Sequence, residues 1–178
     1  MSNLATLSQS GRAALLKALM EKPLHLAWGV GRPEWDEDPS GIPSYDAATG
    51  LVSEVGRRLV TQASFAVKSE TGDIVVPVGK GQDGQVLTER YQLVAEPTPN
   101  LYLQVKYDFG DAIGHTIREL ALFSGSRTDA GLPPGQRYFL PGEVSDPGIM
   151  VAAQALDKED VIVRSASKRH TEEFVLAL

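Results

Sequence analysis

The chain has 178 residues, 42% hydrophobic and 22% charged, with a net charge of −6. That is room for one domain with a sizeable core, without the polybasic footprint that nucleic acid or an anionic membrane recruits. The absence of cysteine excludes disulfides, thiol catalysis and zinc–thiolate sites, and no apolar run reaches the length of a membrane span.

Leu4, Leu7, Gly11, Ala14, Leu15, Ala18 and Leu19 recur at helical spacing, which predicts an N-terminal helix with one apolar stripe. Ser8 or Ser10 suits its N-cap and Pro23 stops it. This N-terminal segment, residues 1–23, lacks the apolar core of a signal peptide, so synthesis and folding in the cytoplasm are expected. LHLAWGVG, residues 24–31, reads as a strand ending in glycines. The next stretch, RPEWDEDPSGIPSYDAATG, has no periodicity and is rich in Pro, Gly and Asp. It predicts a loop over 32–50, long enough to be functional or mobile.

From Arg57 the period is two. Leu59, Ala63, Phe65 and Val67 share a face, as do Leu101, Leu103, Val105, Tyr107 and Phe109 further on. DIVVPVG and QVLTERYQLVA are two more strands, and Pro77 suits an edge or a bulge. GHTIRELALFSG, residues 114–125, is apolar on both faces. Ile117, Glu119, Ala121 and Phe123 lie on one side; Arg118, Leu120 and Leu122 lie on the other. IMVAAQAL, VIVRSAS and EEFVLAL complete the set. The pattern predicts a mainly β fold, an antiparallel sandwich or flattened barrel with an N-terminal α-helix. Residues 24–178 read as a single β domain behind the helix of 1–23.

Chemistry is sparse. His25, His115 and His170 sit in no metal-binding frame. The acidic run Glu34, Asp36, Glu37, Asp38 and Asp46 lacks the spacing of a calcium loop. Neither GxxxxGK[ST] nor GxSxG occurs, and the glycines of VGKGQDGQ do not open a helix after a strand as a phosphate-binding loop requires. We therefore assign no catalytic residue, no metal ligand and no cofactor. Trp28 reads as core. Trp35, in the polar loop, reads as a lid over the strands or as a protein contact. Glu119, half-buried in its strand, needs a donor, with Arg57, Arg58, Arg90 or backbone amides as candidates.

The order LSQSGRAALLKAL, LAWGVGRPE, the strand from Arg57 to Lys68, and TIRELALFSG resembles phage tail-collar fibre proteins and related baseplate adaptors. Two positions depart from that pattern. Ala121 stands where the family has Gly, and Ser124 with Gly125 stands where it has Asp. The resemblance implies a structural protein of the virion tail or baseplate, non-enzymatic, present in several copies of a symmetric assembly and joining tail fibre to baseplate. It implies contacts to other tail or baseplate proteins through Leu15 and Leu19 on the helix, Trp35 and Tyr45 in the loop, and Leu120 and Leu122 on the two-sided strand. Glu119 and Phe123 are expected to be structural. A carbohydrate-binding β-sandwich that stacks sugars on Trp35 and Tyr45 is the alternative, and a hydrolase or lyase built on two carboxylates is a more distant one.

Overall fold

The structure is a computed structural model, and it describes residues 5–178; Leu4 of the predicted stripe lies outside them. One α-helix, α1 (Gln9–Met20), opens the fold. The strands follow as β1 (Leu24–Gly29), β2 (Glu54–Leu59), β3 (Gln62–Lys68), β4 (Ile74–Lys80), β5 (Val86–Leu93), β6 (Asn100–Tyr107) and β7 (Thr116–Ile117). The rest are β8 (Glu119–Ser124), β9 (Arg127–Thr128), β10 (Tyr138–Phe139), β11 (Val144–Asp146), β12 (Ile149–Ala155), β13 (Ile162–Val163) and β14 (His170–Ala177). The fold is mainly β and its assigned pairings are antiparallel.

The chain divides into two compact units. Unit 1 holds the chain up to Glu21, Thr61–Gln104 and Glu172–Leu178; unit 2 holds Lys22–Val60 and Val105–Thr171. In unit 1, α1 accompanies the sheet β14-β6-β3-β5-β4. Ser8 caps the helix, its Oγ accepting the Gly11 N–H at 3.1 Å. The helix buries Ala13 and Leu16 and leaves Leu15 53% exposed; Leu7, just before the cap, is 48% exposed. The buried stripe is rotated by about one residue from the predicted one, because AALLKAL is apolar nearly all round and its single charge, Lys17, lies off both candidate stripes. Ala66, Val76, Tyr91 and Tyr102 form the unit's core, with Ile74 and Val175 against it. Pro77 sits on the edge strand β4 at a register shift, the place a residue without an N–H can occupy.

Unit 2 is built on the sheet β10-β2-β1-β8-β12, with two small ribbons, β11-β9 and β13-β7. Its two sheet faces are both filled. On one, Ala27, Ala121 and Phe123 pack with Leu51, Met150 and Ala153. On the other, Leu26 opposes Leu122 and Trp28 opposes Leu120. Tyr107 stacks on Trp28 with ring centroids 3.4 Å apart, and its hydroxyl donates to the Leu26 carbonyl at 2.7 Å. The second apolar layer of GHTIRELALFSG is therefore met by this chain: Leu120 and Leu122 are buried within it.

Two predicted runs are broken by the fold. The period-two stretch 57–68 splits into β2 and β3, which join different sheets. TIRELALFSG splits at Arg118. Its first part pairs with β13 and its second lies between β1 and β12. The Arg118 N–H donates to the Gly29 carbonyl at 2.9 Å, and its own carbonyl accepts from Leu156 at 2.7 Å.

Candidate functional site

The long loop of unit 2 is a strap tied down by two consecutive residues, Arg118 and Glu119. At its near end, two 3-10 turns, Pro33–Asp36 and Pro39–Gly41, surround Trp35. Pro33 and Pro39 start these turns where a missing N–H costs nothing. Arg118 grips Asp36 through two bonds, Nε to Oδ1 at 2.8 Å and Nη2 to Oδ2 at 2.7 Å. This fork geometry is the strong form of the pair, and it holds the Asp36 carboxyl below the usual carboxylate range. A more exposed pair, Lys158 to Glu37 at 2.8 Å, sits beside it.

At the far end the strap is held by Glu119, which is fully buried. Its Oε2 accepts the Tyr45 hydroxyl at 2.8 Å and the Val52 N–H at 3.1 Å; its Oε1 accepts the Ser53 N–H at 2.9 Å. No arginine takes part. Arg57 is engaged with Glu54, Ser126 and the Pro147 carbonyl, Arg58 with Asp111, and Arg90 with the Gly72 carbonyl. Of the candidate donors it is the backbone amides that serve, two of them together with a phenol, and they saturate much of the carboxylate's accepting capacity. Burial, then the neighbouring carboxylate, raises the Tyr45 hydroxyl's pKa, so it stays a donor.

Glycines make both ends possible. A Cβ at Gly29, directly across from Glu119, would lie 2.4 Å from Oε1. A Cβ at Gly31 would lie 2.2 Å from the Trp35 ring, and its φ of 54° is one that side chains rarely adopt.

The predicted site residues therefore fall into groups. Tyr45 and Glu119 meet directly, and Phe123 shares Glu119's face, with the Arg57 guanidinium 4.0 Å from its ring centroid. Trp35 is 6% exposed, closed over by its own loop. Its ring is thus covered in this structure, while Tyr45, the other residue of the carbohydrate reading, is half-buried. Leu120 and Leu122 are likewise interior, at 5% and 1% exposed. Leu15 is exposed and Leu19 half-buried. Sequence reasoning missed Arg118 and Asp36 as a pair. The signal was present, an arginine next to the structural glutamate and a loop whose carboxylates far outnumber its single Arg32, but nothing in the linear order joined residues 36 and 118.

Among the described residues, no group of three or more His, Asp or Glu is placed to hold a metal ion. A search of curated proteins found no match. A family model described as baseplate wedge 3 tail fiber network component matches residues 4–178. The chain belongs to that family, a structural component of the phage baseplate and its tail-fibre network.

Proposed function

We propose that this chain is a non-enzymatic adaptor of the virion tail, joining the tail-fibre network to neighbouring baseplate proteins through protein–protein contacts. The observation that carries this reading is the strap. The fully buried carboxylate Glu119 and the fork of Arg118 are committed to fixing the surface loop 32–53. A loop fixed before binding loses little conformational entropy on docking, which is what a permanent joint requires. The exposed side of α1, with Leu7 and Leu15, is a second surface for a neighbour. Leu19 and Tyr45 lie at the margins of these two surfaces. The adaptor works in several copies, one or more per symmetry-related arm of the baseplate.

The test is incorporation. In phage lacking the native chain, a tagged copy is supplied, tails are purified, and the tag is located by imaging. It is expected at the baseplate, in contact with fibre proteins that cross-link to it. Leu15→Glu is expected to keep the wild-type melting temperature and to lower incorporation at least several-fold. Tails that assemble fibres normally without the chain would overturn the reading.

A further inference from the structure

The β7–β13 ribbon of unit 2 has one acidic end, one basic end and an apolar centre. The register Ile162↔Ile117 and Val163↔Thr116 turns Ile117 inward, fully buried, and Val163 outward. Val163 is 74% exposed, the highest value among the exposed large hydrophobics of the described residues. Ile113, 51% exposed, lies just beyond, where the Gly114 N–H donates to the Arg164 carbonyl and the Arg164 N–H to that of His115.

Towards the C-terminal end of β7 the charge is negative. Arg118 brings Asp36 and its loop there, and Lys158 to Glu37 brings the turn Lys158–Asp160 alongside. Glu34, Glu37, Asp38, Glu159 and Asp160 are all exposed, and with Asp36 they outnumber the cations of the same segments, Arg32, Arg118 and Lys158, so this end is net negative. Towards the other end the balance is positive. Asp108 and Asp111 are met by Arg58, Arg164 and Arg169, and Lys168 adds to them. The loop 108–115 is also rigid. Arg164 donates to the Asp108 and Asp111 carbonyls, and Ala112 is held at a φ of 51°, a strained value that persists only where neighbours over-determine it.

A surface with opposite charges on either side of an apolar centre is complementary to itself when turned through a half-rotation, the relation a two-fold interface demands. We propose that the outer face of the β7–β13 ribbon is a two-fold contact between two copies of this chain, the acidic end of each facing the basic end of the other across Val163. The strap tip, the loop 108–115 and the segment 157–169 together supply about the roughly 20–30 residues that one side of a standard interface uses. The proposal stands apart from the adaptor reading, since it concerns the chain's contact with itself.

Sedimentation and light scattering at up to about 100 μM, enough for the weakest interface of that size, are expected to show a dimer. Its dissociation constant should rise at least roughly tenfold from low salt to molar salt as the charges are screened. Val163→Asp, and each of the charge reversals Glu34→Lys/Glu159→Lys and Lys168→Glu/Arg169→Glu, should give monomers with near wild-type melting temperatures. Mixing the two reversed proteins should restore a one-to-one dimer, because the intact basic end of the first then meets the intact acidic end of the second, while the largely neutralised end of the first meets the reversed end of the second without like-charge repulsion. A monomeric wild type, a Val163→Asp dimer, or a mixture that stays monomeric would each overturn the proposal. If a reversal fails to fold, Val163→Asp, at an exposed position, still decides it.

Discussion

Three donors converge on Glu119, and none is a cation. That changes what mutation there should do. With an arginine partner, an apolar replacement would remove one charge and leave one orphan. Here Glu119→Leu leaves a phenol and two amides without their acceptor in part-buried positions, at up to about 1–3 kcal/mol each. We expect Tyr45→Phe to cost about 1 kcal/mol in denaturant melts and Glu119→Leu several times more. His25 gives a pH signature. It is buried edge-on to Phe139, and burial, followed by Arg57, lowers its pKa from 6.5 to about 4. The unfolded chain therefore takes up the proton first. Its contribution to stability is present above the unfolded value and is lost as pH falls through the window from about 6.5 to about 4. His25→Phe should flatten the pH dependence of the melting temperature across that window. Little of this was legible in the sequence. A lone histidine in an apolar run announces burial, but Glu119's partners lie at residues 45, 52 and 53, inside a stretch with no periodicity.

At the scale of elements, the strap and the helix make opposite predictions. Gly29→Ala places a methyl against the Glu119 carboxylate. It should release the far end of the strap, seen as faster amide exchange at Val52 and Ser53 while unit 1 keeps its protection. Leu16→Ala should cost about 2–5 kcal/mol as a buried truncation, whereas the exposed neighbour Leu15 tolerates even a charge. The helix was plain in the sequence and its cap was narrowed to Ser8 or Ser10, because capping and spacing are local; the structure selects Ser8. The sequence did not reveal which leucine faces inward, because Leu15 and Leu16 are equally apolar and the choice belongs to the sheet beneath. Pro77 is the counter-example: a residue with no N–H can sit in few places, so its edge position was readable from chemistry alone.

For the whole molecule, alternation revealed strands but not their partners. Residues 57–68 keep one period through Val60 and Thr61 while the chain leaves one sheet for another. The Val60 N–H bonds the Leu24 carbonyl, and the Thr61 N–H bonds that of Gln104. Period two describes which face a side chain takes; it carries no label for the neighbouring strand. The order of family-like segments pointed to the baseplate family but likewise left the strand pairing open.

The stack of Tyr107 on Trp28 has a spectroscopic consequence. The chain has two tryptophans, Trp28 and Trp35, both buried and both in unit 2. Light absorbed only by indole therefore reports on one half of the architecture. Circular dichroism sums the backbone of both, so a melt followed by the two signals should give coincident curves only if the units unfold together. The dye is already in the sequence: a fluorescence melt of this protein is a melt of unit 2.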